Sequence, residues 1–211
     1  MKVQILIDNT DSWMWPYMEE VANELHKDGL DISIHSDHEK IEAGDLLFLI
    51  SCEKKFKDLS LNKLNLVVHE SYLPKGKGWS PLTWQVLEGA NEIPVTLFEA
   101  EDEIDSGRIF LQELIRLQDH ELVDELREKQ GEATQNLIRQ FISLYPNVQG
   151  KEQEGESTFY KKRTPKDSEL DLDKSIAEQF NLLRVCDNER YPAYFVKDGV
   201  KYIVKIQKEE D

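Results

Sequence analysis

Apolar and polar positions along the first half of the chain form blocks that predict strands and helices in turn. The segment "KVQILID" at residues 2–8 predicts a buried strand, and apolar residues then recur with helical spacing over 15–25, before Gly29. Further strands are predicted at residues 30–36, 46–51, 65–69 and 93–100, and a short helix at 81–87.

Strands that alternate with helical connections indicate the α/β class, with a mostly parallel twisted sheet and helices on both faces. Ligands of such sheets bind beyond the carboxyl ends of the strands. His69 follows one predicted strand end, the turn that begins at Ser51 follows another, and Asp105 comes shortly after a third. We therefore expect the functional site at this rim.

The second half of the chain predicts fewer and longer elements. A helical pattern covers residues 109–144, with a break near 118–121, and a further helix is predicted at about 172–185. The end of the chain has a hairpin pattern that turns at Asp198 and Gly199. We expect a core at residues 1–145 and a C-terminal helix and β-hairpin extension at 146–211.

Charge and composition exclude several classes of protein. The chain has 42 acidic and 26 basic residues, a net charge of −16, and such a surface repels nucleic-acid backbones. The sequence contains no apolar run of the ~20 residues that a membrane span needs, and its start reads as a strand rather than a signal peptide. Cys52 and Cys186 lack the spacing of a metal site or disulfide, so we expect a cytoplasmic protein without a metal.

His69 and Asp105 are the candidate catalytic residues. A histidine and an aspartate on neighbouring strand-end loops form a general-base unit, because the carboxylate orients the imidazole and stabilises its protonated form. The alternative is that His69 only packs or lies at the surface, as most single histidines do. Lys75, Lys77 and Arg163 can bind a phosphate or remain solvated.

The stretch "HESYLPKGKGWSPLTWQVLEGANEIPVTLFEAEDEIDSGRIF", residues 69–110, resembles the core signature of the folate-dependent formyltransferases. That signature has a His-x-Ser-x-Leu-Pro segment, a glycine-bearing basic loop, a Pro-led helix, a Val-Thr strand and an acidic loop ending in Asp-x-Gly. The segment at residues 159–199 resembles the end of the bacterial sugar N-formyltransferases, where it helps to complete the substrate side.

The resemblance implies a Rossmann-type core that transfers a formyl group from the co-substrate N10-formyltetrahydrofolate to a primary amine. The branch suggested acts on nucleotide-linked amino sugars, as pseudaminic-acid pathway enzymes do, in cell-surface polysaccharide biosynthesis. His69 would assist proton removal from the amine, and Asp105 would support His69.

The resemblance also implies binding residues. The pterin would be recognised mainly by backbone groups of the loop before Asp105, at Phe98, Glu99, Ala100 and Glu101. The substrate-binding candidates are Ser71, Lys75, Lys77 and Trp79, of which Trp79 can stack on a base or sugar.

One position departs from the family pattern. The family usually has an asparagine two residues before the histidine, where its amide binds the developing oxyanion. Here that residue is Val67, and Asn65 lies one strand step (~6.6 Å) further back. The role would pass to a backbone N–H, to Ser71 or to the Ser51 turn, or the activity would be slow.

Three alternatives remain open at this point. They are a formyltransferase for another small amine, of the glycinamide ribonucleotide type, a methionyl-tRNA enzyme, and a catalytically impaired folate-binding protein. The tRNA enzyme is the less favoured because of the charge and because we see no room for a full second RNA-binding domain. The apolar hairpin at residues 194–206 makes a homodimer reasonable.

Overall fold

The computed structural model describes residues 1–209 and contains a six-stranded sheet, two two-stranded sheets and four α-helices. The strands are β1 (Lys2–Leu6), β2 (Asp31–His35), β3 (Gly44–Leu49), β4 (Asn62–His69), β5 (Lys77–Gly78), β6 (Glu92–Glu99), β7 (Ile109–Arg116), β8 (Phe159–Tyr160), β9 (Ala193–Lys197) and β10 (Val200–Val204). The helices are α1 (Trp15–Lys27), α2 (Pro81–Leu87), α3 (Val123–Leu144) and α4 (Phe180–Arg184). Short 3₁₀ turns lie at His38–Lys40, Pro165–Ser168 and Ala177–Gln179.

The main sheet has the order β2-β1-β3-β4-β6-β7 and is mainly parallel, which confirms the predicted fold class. The exception is β6, which runs antiparallel to both β4 and β7. The interpretation of residues 93–100 as another parallel strand was therefore wrong. Apolar periodicity within one segment predicts a strand but does not give its direction relative to the neighbouring strands.

Two predicted helices are shorter than expected. Residues Ile109–Arg116 form β7 at the sheet edge, so the helix predicted over 109–144 is correct only for its second part. Apolar residues at positions 111, 114 and 115 imitate helical spacing, but the segment pairs with β6. The helix predicted at 172–185 is reduced to a 3₁₀ turn and α4. The Gln179 side chain bonds both the N–H and the carbonyl of Asp171, so the chain before α4 forms a closed loop instead of a helix.

The main core lies on one face of the sheet. Side chains of α1, α2 and α3 pack there in one cluster, which includes Met18, Val86 and the fully buried Phe141. The opposite face carries a smaller cluster covered by loops, around Leu47 and Phe56. This differs from the predicted arrangement of helices on both faces, because the connections on the second face are irregular.

The C-terminal part of the chain packs back on the core. The predicted hairpin is confirmed, since β9 and β10 pair antiparallel around Asp198 and Gly199. The buried guanidinium of Arg184 donates to the carbonyl oxygens of Glu121 and Asp119, which ties α4 to the loop before α3. Within residues 1–209, no helix has the length and apolarity to cross a membrane.

Candidate functional site

A cleft of about 680 Å³ opens where the parallel strands β1, β3 and β4 end. The loops that follow these strands line one side, and side chains between residues 159 and 191 line the other. The cleft therefore lies at the rim where the strand pattern places a ligand site.

His69 is the last residue of β4 and lines the cleft, with 7% of its surface exposed. Its Nε2 lies 2.8 Å from the carbonyl oxygen of Gly76. A carbonyl oxygen only accepts hydrogen bonds, so Nε2 carries a proton in this arrangement. In the neutral ring, Nδ1 is then the nitrogen with a free lone pair, and it can accept a proton from a ligand.

The loop after β4 is held by the C-terminal part of the chain. The Gly76 N–H donates to the Thr158 hydroxyl at 2.8 Å, and the Lys77 N–H donates to the Thr158 carbonyl at 2.9 Å. Gly78 has a φ of +96°, and a Cβ there would lie 2.5 Å from the Tyr160 carbonyl oxygen. Glycine is required at residue 78 because two backbones meet there.

The loop after β6 brings Asp105 back to His69. The Ala100 N–H donates to the Asn65 carbonyl at 2.8 Å, so the chain first runs away from the end of β4. It then reverses, and Asp105 Oδ2 lies 3.9 Å from His69 Nε2. The same oxygen accepts a hydrogen bond of 2.8 Å from the Gly78 N–H. The two predicted catalytic side chains are therefore close together, although β6 runs opposite to the expected direction.

The backbone at Asp105 is fixed in an uncommon conformation. Its φ is +52°, in the left-handed region. The Gln153 side-chain amide donates to the carbonyl oxygens of Asp105 and Gly107, at 2.9 and 2.8 Å. A Cβ at Gly107 would overlap the Glu99 carbonyl oxygen, so glycine is needed there as well. Gln153 thus clamps the end of this loop.

The predicted pterin-binding residues border the cleft with one exception. Phe98, Ala100 and Glu101 line it, whereas Glu99 pairs with Arg108 at 2.9 Å. The N–H groups of Glu99 and Ala100 already bond the protein backbone. Recognition by this loop would therefore use mainly the N–H of Glu101 and carbonyl oxygens.

Only one of the four predicted substrate-binding residues lines the cleft. Trp79 lines the cleft. Ser71, Lys75 and Lys77 are not in its lining: Ser71 is buried, Lys75 is exposed on the loop, and Lys77 is buried with Nζ 5.7 Å from the ring centroid of Phe159. Thr158 holds the backbone of Lys77, whose ammonium group lies over the Phe159 ring.

Basic residues of the cleft come mostly from elsewhere in the chain. Arg163, which the sequence singled out for phosphate binding, does line it, and its Nε is buried without a hydrogen-bond partner among residues 1–209. Lys162 lies beside it with Nζ 4.3 Å from the Trp79 ring centroid. The remaining basic residues of the lining are Lys54, Lys55, Arg127 and Arg190. The sequence signal for this basic wall was the run Lys161-Lys162-Arg163, three consecutive basic residues in an acidic chain.

Sequence reasoning also missed Glu70, which follows His69 and lines the cleft. Its Oε1 accepts a hydrogen bond of 2.6 Å from the Gln130 amide on α3. Burial raises the pKa of the Glu70 carboxyl above its usual range, against the lowering effects of His69 and Gln130. The sequence signal for Glu70 was its position as a charged residue between the histidine and the serine of the signature.

The loop after β3 forms another part of the cleft and is attached to β1 through Asp8. The Asp8 carboxylate accepts hydrogen bonds from the N–H groups of Glu53 and Lys54, at 2.7 and 2.8 Å, and lies 3.0 Å from His38 Nε2. Burial alone would raise the pKa of Asp8, but these bonds outweigh it and hold the pKa below the usual value of 3.8. Burial raises the pKa of the Cys52 thiol on this loop to about 12, so it is a poor nucleophile.

No metal centre is visible at the site. Among residues 1–209, no group of three or more His, Cys, Asp or Glu side chains is arranged to hold a metal ion. The cleft can therefore supply a base at His69, a supporting carboxylate at Asp105, backbone hydrogen bonds and a basic wall.

Comparison with known proteins identifies relatives of this chain. A family model described as "Formyl transferase" matches residues 20–142. A methionyl-tRNA formyltransferase of Thermosipho melanesiensis is 29% identical over 164 residues, which are 77% of this chain and 52% of that protein. The chain thus spans about half the length of this curated relative.

Solved structures show that the fold is shared over the whole chain. A methionyl-tRNA formyltransferase from Clostridium thermocellum superposes with a TM-score of 0.84 at 20% identity, covering 100% of this chain and 94% of that one. A sugar N-formyltransferase from a Shewanella species superposes with a TM-score of 0.74 at 16% identity, covering 100% and 99%.

The Asp8 contacts predict a pH-dependent contribution to stability. Asp8→Ala removes the acceptor of two N–H groups, so we expect the free energy of unfolding at neutral pH to fall by about 1–3 kcal/mol. The pKa of Asp8 is lower in the folded protein than its usual value of 3.8. This contribution is therefore complete above pH 3.8 and is lost as the pH falls through the pKa of the folded protein. Denaturant titrations over a pH series measure the difference between wild type and variant.

The matched control is Asp58→Ala, because within residues 1–209 the Asp58 carboxylate accepts only from the Ser60 hydroxyl of its own turn. We expect it to change stability little. A wild-type advantage over Asp8→Ala that stays constant or grows on acidification would contradict the assignment.

Proposed function

The chain belongs to the formyl transferase family, and on that premise we propose that it transfers a formyl group from N10-formyltetrahydrofolate to a primary amine. The observation that carries this proposal is the placement of His69 and Asp105, 3.9 Å apart, in one cleft at the strand ends. Cys52 is not a candidate nucleophile, since its thiol stays protonated at neutral pH.

The proposed reaction begins with attack of the amine lone pair on the formyl carbon. His69 Nδ1 takes the proton that the attacking nitrogen loses, which converts the imidazole to imidazolium. The tetrahedral intermediate then breaks its bond to N10, and His69 returns the proton to that nitrogen as tetrahydrofolate leaves. The Asp105 carboxylate, close to Nε2, stabilises the imidazolium between these steps.

The folate would lie along the lobe of the cleft formed by β4, β6 and the loop after β3. Val67 and Phe98 are register partners on the adjacent strands β4 and β6 and supply an apolar surface for the pterin ring. Ala100 and Glu101 supply the backbone acceptors next to them. Asp8 supports the loop that covers this lobe.

For the acceptor we propose a nucleotide-linked amino sugar. Arg163 and Arg190 lie on the wall opposite the strand ends and suit a diphosphate, and Trp79 and Tyr191 suit a base or sugar. The Shewanella structure, named a sugar N-formyltransferase, supports this assignment at the level of a related fold. The product would be a formamido sugar of the kind used in surface polysaccharides.

Methionyl-tRNA is the second candidate acceptor. It is favoured by the relative from Thermosipho melanesiensis, which carries that name. The net charge of −16 counts against it, because a long polyanion would meet repulsion beyond the basic cleft. A charge this negative is compatible with a small substrate.

The proposed function is tested by incubating the chain with N10-formyltetrahydrofolate and one acceptor at a time, with tetrahydrofolate release as the readout. The panel contains nucleotide-linked amino sugars, glycinamide ribonucleotide and methionyl-tRNA. We expect release only with amino sugars. Release with methionyl-tRNA or glycinamide ribonucleotide alone would replace the proposed acceptor, and folate binding without any release would indicate an impaired folate-binding protein.

Substitution of the proposed base should abolish most of the activity. We expect His69→Asn to lower turnover by ~10²–10⁴-fold, the usual contribution of a positioned general base, with folate binding retained. Asp105→Ala should cause similar damage, because the imidazolium then lacks its carboxylate. Steady-state kinetics and folate titration measure both properties.

The controls are His120→Asn and Asp102→Ala. His120 is exposed, and Asp102 lies exposed on the same loop as Asp105. Both should keep wild-type turnover. Near-wild-type turnover of His69→Asn would show that the base is another group.

The missing asparagine at residue 67 gives a separate prediction. The Asn65 amide donates to the Leu59 carbonyl at 2.7 Å, and Ser71 does not line the cleft, so neither is placed to bind an oxyanion. A backbone N–H or the Ser51 turn remains for that role. We expect Val67→Asn to leave turnover unchanged or to lower it, since an unpaired amide against the apolar cluster costs ~1–3 kcal/mol. A tenfold or larger gain in turnover would show instead that the chain lacks an oxyanion donor.

A further inference from the structure

Glu70 is a buried carboxylate without a counter-ion among residues 1–209. Only 9% of the residue is exposed, and it lines the cleft next to His69. Oε1 accepts the hydrogen bond from the Gln130 amide, which is a neutral donor. The Gln85 amide donates to the Glu70 carbonyl at 2.5 Å, so both the backbone and the side chain are held in place.

No cation of the described chain neutralises Glu70. None of the lysine, arginine or histidine side chains at residues 1–209 forms an ion pair with it. Arg127, which lies on the same helix as Gln130, pairs instead with Asp187 at 2.7 Å and with Asp124. Buried carboxylates are normally paired, because burial of an isolated charge is costly. A buried carboxylate in the cleft without a counter-ion therefore indicates a cationic ligand.

The two proposed substrates differ in charge. The folate donor carries carboxylates and no cation at neutral pH, whereas a primary amine of the acceptor is largely protonated there. We propose that Glu70 binds the acceptor's ammonium group and holds its nitrogen beside His69, an inference that rests on the proposed formyl transfer. Glu70 would thereby decide which substrates are accepted, since only acceptors with an amine at that point satisfy its charge.

The arrangement also accounts for both protons of the reaction. The ammonium group must lose one proton before its nitrogen can attack, and that proton passes to the Glu70 carboxylate, which releases it to solvent after the product leaves. The second proton, lost during attack, goes to His69 Nδ1. Burial raises the pKa of Glu70, which makes its carboxylate a better acceptor for the first proton.

The test uses Glu70→Gln, which keeps the shape of the side chain and the contact with Gln130 but removes the charge. We expect the KM for the acceptor that wild type uses best in the panel to rise ~10–100-fold, the value of a hydrogen bond to a charged group. The KM for N10-formyltetrahydrofolate should not change, and Glu70→Asp should recover part of the acceptor affinity. Glu103→Gln, an exposed residue outside the cleft lining, is the matched control.

Direct binding of an amino nucleotide sugar and of its counterpart with a hydroxyl in place of the amine gives a second readout. Wild type should bind the amine at least tenfold more tightly, and Glu70→Gln should bind the two alike. If Glu70→Gln does not fold, Glu70→Asp and this wild-type comparison decide the matter.

Several outcomes would overturn the inference. If Glu70→Gln leaves the acceptor KM unchanged, the proposed role of Glu70 is refuted. Formyl transfer by the wild-type protein would still support the proposed function in that case. Lower turnover with an unchanged acceptor KM would assign Glu70, as a neutral acid, to the oxyanion instead. Absence of transfer by wild type to every acceptor in the panel would refute the proposed function, and the inference with it.

Discussion

The hydrogen bond from the Gly78 N–H to the Asp105 carboxylate is the contact on which the candidate site depends. It joins the loop after β4, which carries the backbone carbonyl that orients His69, to the loop after β6, which carries Asp105. Both loops change direction after their strands before Gly78 and Asp105 meet. Glycine at position 78 permits the contact, because any side chain there would collide with the Tyr160 backbone.

The C-terminal part of the chain completes the site by supporting these loops. Thr158 holds the backbone of Gly76 and Lys77, and Gln153 holds the carbonyl groups of Asp105 and Gly107. The adjoining segment places Lys162 and Arg163 in the cleft. The geometry of the candidate site and the basic wall therefore depend on the same stretch of chain. A substitution in this segment can affect catalysis without contact to His69.

Periodicity predicted those elements whose spacing has only one interpretation. The strand that ends at His69, the helix Pro81–Leu87 and the hairpin around Gly199 were all found where expected. The edge strand Ile109–Arg116 was not, because a partly exposed strand can carry apolar residues at helical intervals. The antiparallel direction of β6 is a property of strand pairing in the packed sheet, which a search for periodic patterns does not consider.

The candidate site was predictable where a local motif defines it. His69 and Asp105 belong to a signature of consecutive residues, and the structure brings them together. Lys75 and Lys77 were expected in the cleft because they flank a glycine next to the motif, but Lys75 is exposed outside the cleft lining and Lys77 is buried with its ammonium group over Phe159. Glu70 was missed since its partner Gln130 is 60 residues away, and only the packed fold shows that its carboxylate is buried in the cleft.

The central claim is that the reaction takes place between His69 and the lobe that Phe98 borders. A crystal structure with 5-formyltetrahydrofolate, a stable analogue of the donor, tests this most directly. The account predicts the pterin against Val67 and Phe98, with the N5–N10 edge of the folate, which carries the formyl group, within ~4 Å of the His69 ring, close to hydrogen-bond reach. A folate bound elsewhere, or bound with this edge turned away from His69, would contradict it.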